Sequence, residues 1–342
     1  MSGQGTVLVT GGSGFIGGWC VIGLLQQGYT VRTTVRDLAR EAEVRATLGA
    51  VVDTKERLSF FAANLTSDAG WDAATEGCDY VLHVASPLGI SEPKDPDELI
   101  VPAREGARRA IAAAIKAGVK RVVLTSSVAA TSRGAAAPDN VADESVWTDL
   151  TQRAVSAYTQ SKTLAERAAW ELIGASGGGG ATLATVNPAL VLGPVLGRDY
   201  SGSVQVVERL LSGRVPGLPR LGFNIVDVRD VADLHIRAMT DPQAAGQRFI
   251  AAGNFAWMAD IAALLRANLG DQAAKVPTRK VPDLVLRLVG LFDKELASVV
   301  PSLGHRHDYS SAKAQTQLGW APRPLQDTVL DTARSLIATG SV

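Results

Sequence analysis

Apolar and polar positions follow a regular rhythm over the first 190 residues of the chain. Short apolar runs of four to seven residues predict strands, and longer stretches with apolar residues three and four apart predict helices. Strands that alternate with helices imply right-handed crossovers, so we expect an α/β fold with a doubly wound parallel sheet. The predicted strands are near Val7–Val9, Tyr29–Val35, Leu58–Ala62, Tyr80–Ala85, Arg121–Thr125 and Ala181–Asn187, and helices are predicted over Phe15–Gln27, Ala103–Ala117 and Val155–Ile173.

This rhythm loosens after Asn187, where the sequence becomes rich in glycine and proline. We expect residues 1–189, with about 222–252, to form the sheet domain. About 190–221 and 253–342 should form a smaller, interleaved part that binds the substrate. Within the returning segment, Asp230 precedes an apolar helical pattern and is interpreted as an N-cap.

Composition narrows the class of protein. The 342 residues are 46% hydrophobic and 20% charged, which suits a large buried core. The 34 basic and 34 acidic residues cancel, so charge gives no reason to expect nucleic acid or a membrane surface as a partner. No apolar run reaches the ~20 residues of a membrane span and no secretory signal is visible, so we expect a cytoplasmic protein. The two cysteines and four histidines have no metal-ligand spacing, and no metal is expected.

Five glycines occupy eight positions between the first strand and the first helix, within VLVTGGSGFIGGWC. Gly12, Gly14 and Gly17 fit the dinucleotide pattern GxGxxG in the strand–turn–helix context that it requires. Such glycines allow a tight turn and a close approach of a pyrophosphate, which the helix N-terminus then binds. Taken alone, the motif is also compatible with a tight turn that binds nothing.

The end of the second strand bears on the choice between NAD and NADP. An acidic residue there binds the ribose hydroxyls of NAD, whereas an arginine accommodates the 2′-phosphate of NADP. Here the strand ends in Val35 and Arg36, and Asp37 follows. We therefore predict NADP(H), with Arg36 as the main phosphate ligand and Ser13 and Arg40 assisting. The alternative is that both arginines belong to a solvated surface.

Candidate chemistry follows the fifth strand, at the sheet edge where α/β proteins bind ligands. Ser127 ends the segment TSS, and Tyr158 and Lys162 lie four residues apart on one face of a predicted helix. A nearby ammonium favours the phenolate and lowers the pKa of a tyrosine from its usual ~10. A serine hydroxyl can fix a substrate oxygen; Ser126 is the alternative serine. A YxxxK pattern also arises by chance on amphipathic helices.

These segments together resemble the extended short-chain dehydrogenases/reductases, a family with a Rossmann-type fold. Within it, Arg36 after TTV and the HVASP segment are similar to dihydroflavonol reductases, cinnamoyl-CoA reductases and microbial aldehyde and ketone reductases. The sequence around Tyr158 lacks the aromatic-rich motif of cinnamoyl-CoA reductase proper. The resemblance covers nearly the whole chain and rests on TGGSGFIG (10–17), HVASP (83–87), LTSS (124–127), YTQSK (158–162), NPALVLGP (187–194), VDVRDVA (226–232) and LGWAPRP (318–324).

The resemblance implies a role for each matching residue. Ser127 polarises a carbonyl, Tyr158 donates a proton, and Lys162 holds the nicotinamide ribose. Arg104, Glu105 and Gly106 stand where classical members add a proton-relaying Asn, so a relay through water is expected. The cofactor-binding residues implied are Gly11, Ser13, Gly14, Phe15, Ile16, Gly17, Arg36, Arg40, Asn64, Leu65, Val84, Ala85, Ser86, Thr125, Lys162, Asn187, Pro188 and Leu190.

Three functions remain open at this stage. The favoured one is an NADPH-dependent reductase of hydrophobic aldehydes or ketones, acting as a monomer or homodimer on a small molecule. The second is a nucleotide-sugar epimerase or dehydratase with tightly bound NAD, which Arg36 and the mostly apolar C-terminal part argue against. The third is a non-catalytic dinucleotide-binding protein, which the retained Ser127, Tyr158 and Lys162 disfavour.

Overall fold

The computed structural model describes residues 4–87, 93–134, 141–152, 155–177, 180–197, 200–292 and 299–342. The described strands are β1 (Thr6–Thr10), β2 (Thr30–Val35), β3 (Leu58–Ala62), β4 (Tyr80–His83), β5 (Arg121–Thr125), β6 (Thr182–Pro188), β7 (Leu190–Leu192), β8 (Gly222–Asp227), β9 (Gln247–Ala251) and β10 (Phe255–Trp257). The described α-helices are α1 (Phe15–Gln26), α2 (Glu41–Gly49), α3 (Trp71–Thr75), α4 (Asp97–Lys116), α5 (Ala157–Ala175), α6 (Gln205–Leu211), α7 (Val228–Thr240), α8 (Met258–Leu269), α9 (Asp283–Val289), α10 (Ala312–Leu318) and α11 (Leu325–Ala338).

Seven parallel strands form the large sheet, in the order β3-β2-β1-β4-β5-β6-β9. The strand order reverses direction between β1 and β4, which opens a crevice at the carboxyl ends of these two strands. This sheet confirms the predicted doubly wound fold.

Both faces of the sheet are buried, as the apolar runs predict. Val7 and Val9 face the layer that contains α1, α7 and the C-terminal core, whereas Leu8 faces the layer of α4 and α5. Since side chains alternate along a strand, β1 contributes to both layers and cannot shift register without exposing one of them.

The C-terminal part adds a second sheet of three short strands, β10-β8-β7, that the sequence pattern did not predict. β7 and β10 have only three residues each, too few for a period to be visible. β9 pairs with β6 in the large sheet, so the chain returns to that sheet after β8. The division into a sheet domain and an interleaved substrate part stays a prediction.

Several element ends differ from the predictions by one or two residues, and the starts of α4 and α7 differ by more. α4 starts at Asp97, six residues earlier than expected, and continues through Pro102. α7 starts at Val228, and its N-cap is Asp227, whose side chain accepts from the Arg229 amide at 2.9 Å. The interpretation of Asp230 as the N-cap is therefore wrong, because that residue already lies in the first helical turn.

Asp230 instead connects α7 to the C-terminal segment. Its carboxylate accepts a hydrogen bond from the Arg323 amide at 2.6 Å and pairs with the Arg323 guanidinium. Its carbonyl accepts from Trp320 Nε1 at 2.9 Å. Among the helices that the structure describes, none is long and apolar enough to cross a membrane.

Candidate active site

The turn between β1 and α1 is closely packed at the level of the backbone. Gly11 has a φ of +72°, and the Gly14 amide donates to the Gly11 carbonyl at 2.9 Å. A Cβ at Gly17 would lie 2.2 Å from the Gly11 oxygen, and one at Gly12 would lie 2.1 Å from Thr33 Oγ1. No side chain caps α1, which begins at Phe15. The first amides of α1 are thus available for an anion at the positive end of its dipole.

Two threonines of β2 hold this turn in place, and the sequence analysis did not assign them a role. Thr33 Oγ1 donates to the Val9 carbonyl at 2.8 Å and accepts from the Gly12 amide at 3.1 Å. Thr34 Oγ1 accepts from the Gly11 amide at 3.1 Å. The signal that could have found them is a pair of adjacent hydroxyl residues at the carboxyl end of the strand, directly before Val35.

Arg36 is exposed directly after β2, at the same sheet edge as the glycine turn. Within the described ranges no carboxylate pairs with its guanidinium. Asp37 caps the following turn, since its Oδ1 accepts from the Ala39 amide at 2.9 Å. Arg40 lies farther along and forms an ion pair with Glu43 at 3.4 Å. This arrangement suits a 2′-phosphate better than the free ribose hydroxyls of NAD, because the nearest carboxylate is already engaged.

The end of β4 forms the opposite wall of the crevice. Thr10 Oγ1 accepts from the amides of Val84 at 3.0 Å and Ala85 at 2.9 Å, and so donates its own proton to His83 Nδ1 at 2.9 Å. Burial and, to a smaller extent, the charge of Lys162 lower the pKa of His83 to about 3, so this imidazole is neutral. The segment from Val84 to Ser86 is thereby fixed beside the glycine turn, half-buried.

Ser127 and Tyr158 meet across the mouth of the site. Ser156 caps α5 by accepting from the Thr159 amide at 3.1 Å, which places Tyr158 in the first turn. The Tyr158 hydroxyl hydrogen-bonds the side chain of Ser127, and 37% of Tyr158 remains exposed, so a substrate can reach it. Burial raises the pKa of Tyr158, and the Ser127 hydrogen bond opposes this. The pKa of Tyr158 is therefore raised, whereas we expect the ammonium of Lys162 to lower it.

Lys162 lies one helical turn beyond Tyr158 and is buried. Burial lowers the pKa of its ammonium to about 8, and the carboxylate of Glu166 opposes this shift. A small cavity of about 10 Å³ is lined by Lys162 and by residues at the ends of β4 and β5. That is room for roughly one water molecule among polar partners.

The two candidate serines are now distinguishable. Ser126 Oγ donates to Glu166 Oε2 at 2.5 Å, inside the protein, whereas Ser127 faces Tyr158. The structure therefore brings together Ser127, Tyr158 and Lys162 and leaves Ser126 in a supporting position.

Several expected cofactor residues have side chains that are engaged elsewhere. The Thr125 hydroxyl donates to Nε2 of the buried His235 at 2.7 Å, because His235 Nδ1 donates to the Val231 carbonyl. The Asn187 amide donates to the Ser127 carbonyl at 3.1 Å. Asn64 Oδ1 accepts from the amide and hydroxyl of Thr66, each at 3.1 Å, so the Asn64 amide group is the part that remains to face a ligand.

The rest of this set lies along the same edge. Phe15 and Pro188 are buried, and Ser13, Ile16, Leu65 and Leu190 are half-buried. The contacts of all these residues with a cofactor stay predictions.

The helix after β4 has no room for a relaying side chain at Gly106. A Cβ there would lie 2.6 Å from the Leu65 side chain. α4 packs so closely against the segment after β3 that position 106 accepts only a glycine without rearrangement, and an Asn of the classical pattern does not fit there. This packing agrees with a relay through water rather than through an Asn.

Comparison with known proteins agrees with this geometry. Residues 7–252 match the NAD dependent epimerase/dehydratase family. The chain is 40% identical over 247 residues to cinnamoyl-CoA reductase CAD2 of Medicago truncatula, covering 70% of this chain and 74% of that protein. It is 33% identical over 342 residues to tetraketide alpha-pyrone reductase 1 of Arabidopsis thaliana, covering 98% and 97%. Yeast methylglyoxal/isovaleraldehyde reductase Gre2, solved in complex with NADPH, superposes with a TM-score of 0.81 at 26% identity, covering 98% of this chain and all of that one.

The chain belongs to the NAD dependent epimerase/dehydratase family, whose members include the extended short-chain dehydrogenases/reductases. The resemblance inferred from the motifs is thereby confirmed, including the branch that contains cinnamoyl-CoA and carbonyl reductases.

Proposed function

We propose that this protein is an NADPH-dependent reductase that converts the carbonyl group of a hydrophobic aldehyde or ketone into an alcohol. The observation that carries the proposal is the hydrogen-bonded pair of Ser127 and Tyr158, with Lys162 one turn away, at the same sheet edge as the glycine turn. The relatives named above are reductases, and one of them was solved with NADPH.

The residues present fit NADPH. Gly12 and Gly17 let the turn pack closely on Thr33 and on the Gly11 carbonyl, the α1 amides are uncapped, and Arg36 has no acidic partner in the described part of the chain. When bound, NADPH supplies the hydride for the carbonyl carbon. Ser127 then holds the carbonyl oxygen, where negative charge develops, and Tyr158 donates its proton to that oxygen. The C=O double bond becomes CH–OH, and the Tyr158 proton is replaced from solvent.

Lys162 supports this proton transfer electrostatically. Its ammonium stabilises the phenolate that remains on Tyr158 after the proton has left. Because burial brings the pKa of Lys162 to about 8, this support weakens as the pH rises past that value. A cytoplasmic location and a monomeric or homodimeric state remain part of the proposal.

The test is a direct assay of the purified protein. NADPH and, separately, NADH are mixed with aromatic aldehydes, α-ketoesters, aryl ketones and dihydroflavonols, and absorbance at the nicotinamide band is followed. We expect carbonyl-dependent oxidation of NADPH, faster than that of NADH. No oxidation with any carbonyl, together with NAD tightly bound to the purified protein, would instead support an epimerase or dehydratase.

A further inference from the structure

One buried carboxylate near the site has no role in the steps described above. Glu166 is fully buried on α5, one turn beyond Lys162. Its Oε1 accepts from Arg248 Nε at 2.7 Å and from Thr185 Oγ1 at 3.0 Å. Its Oε2 accepts from Ser126 Oγ at 2.5 Å and from Asn187 Nδ2 at 2.9 Å. A single side chain thus connects α5 with β5, β6 and β9.

This network is costly to bury. Removing a carboxylate and a guanidinium from water carries a large desolvation penalty, which a hydrophobic pair of the same volume would avoid. Arg248 also binds the carbonyls of Glu144 and Val146, at 2.7 and 2.9 Å, so it holds the loop before α5 against β9. Fold stability alone therefore does not require charged groups at this place.

The network holds Ser127 on two sides. Its neighbour Ser126 donates to Glu166, and the Ser127 carbonyl accepts from the same Asn187 amide that donates to Glu166. The backbone of Ser127 is therefore fixed through Glu166, while its hydroxyl remains directed at Tyr158.

Glu166 also provides the negative charge near Lys162. The titratable groups around this ammonium are Tyr158 and Glu166 on its own helix and the neutral His83 on β4. The other elements around it present Ala103 and Ala107 of α4, the hydroxyl of Thr125 at the end of β5 and that of Ser126 directly after it, which do not titrate. Arg248, on β9, contacts Glu166 from its other side.

We propose that Glu166 is a positioning residue for carbonyl reduction: it fixes the strand-end segment that carries Ser127 and balances the positive charge of Lys162. This inference rests on the proposed reductase function. It assigns to the motif YxxxK a third member, at Glu166, four residues beyond the lysine.

Glu166→Gln tests the inference, since it keeps the shape and removes the charge. Loss of a nearby negative charge lowers the pKa of both Lys162 and Tyr158, because it disfavours the ammonium and favours the phenolate. On the alkaline side of its pH profile kcat falls, and we expect this fall, the alkaline limb, to move to lower pH by about one unit. At pH values beyond the limb, kcat of the variant should then be about tenfold lower than that of the unmodified protein. NADPH affinity, measured by fluorescence at pH 6.5, should change less than about threefold, since Glu166 does not face the phosphate side.

Glu171→Gln is the matched control, because it makes the same change on an exposed position of the same helix. Its alkaline limb should coincide with that of the unmodified protein. Glu166→Asp, which keeps the charge, should restore the limb even if kcat is reduced. A folded Glu166→Gln variant whose limb coincides with the control would overturn the proposal.

Two further measurements separate the possible failures. If Glu166→Gln does not fold, Ser126→Ala tests the same contact from its other side. We expect kcat to fall about fivefold or more while NADPH affinity is unchanged. An unchanged kcat would overturn the proposal. If the unmodified protein reduces no carbonyl, the proposed function fails independently. The titration of Tyr158, obtained as the ultraviolet difference from Tyr158→Phe, then still reports the shift caused by Glu166→Gln without turnover.

Discussion

The glycine turn after β1 and helix α9 differ in what determines their structure. At the turn, backbone atoms approach so closely that a single methyl group at Gly17 would meet the Gly11 oxygen at 2.2 Å. In α9, Leu284 is 68% exposed and Leu288 is 55% exposed with respect to the described residues. A cofactor of fixed shape demands fixed backbone geometry, whereas a substrate part can vary its surface. The residues of the glycine turn are therefore visible as a motif in the sequence, whereas the identity of the substrate is not.

The largest effect should come from Tyr158→Phe, at the candidate active site beside the glycine turn. Without the phenolic proton the variant lacks its general acid, and we expect kcat to fall by about 10²–10⁴-fold. NADPH binding should change little, because the partner of the hydroxyl is Ser127 rather than a residue of the glycine turn. Stopped-flow turnover and fluorescence titration measure the two quantities. A parallel loss of NADPH binding would mean that Tyr158 shapes the cofactor side as well.

Next in size is the difference between two alanine substitutions in the turn. Gly17→Ala would force a Cβ to within 2.2 Å of the Gly11 carbonyl oxygen, whereas a Cβ at Gly14 would lie 3.3 Å from the same oxygen. Overpacking of this kind costs about 1–3 kcal/mol. We expect Gly17→Ala to weaken NADPH binding by at least about tenfold and Gly14→Ala to weaken it by less. Equal effects of the two variants, measured by calorimetry, would contradict the argument that the turn is limited by backbone packing.

Such local constraints explain how far the sequence could be interpreted. The six predicted strands of the large sheet, the glycine turn and the trio of Ser127, Tyr158 and Lys162 follow from short contiguous patterns. Glu166 and Arg248 are 82 residues apart, and nothing in either local pattern shows that they meet. The three-stranded sheet was missed for a related reason, since its short strands are defined by partners rather than by their own periodicity.

A smaller effect is expected from Arg36→Ala, at the rim of the cofactor side. Arg36 is exposed, so solvent screens its charge, but a phosphate contact would still gain a charge-assisted hydrogen bond. We expect NADPH affinity to fall about threefold to tenfold and NADH affinity to remain within about twofold. NADH thus serves as the internal control in the same titration. Equal losses of affinity for NADPH and NADH would contradict the prediction that Arg36 binds the 2′-phosphate.

The smallest effect should come from the surface of α9. Leu284→Gln replaces a side chain that is 68% exposed, and we expect the free energy of unfolding to change by no more than about 0.5 kcal/mol. Leu265→Ala in α8, where the leucine is fully buried, should cost about 2–5 kcal/mol. Urea denaturation measures both. A large loss for Leu284→Gln would show that this helix is covered in solution, either by another part of the same chain or by a second copy of it. Dependence of that loss on protein concentration would separate these two, because only an intermolecular contact follows mass action.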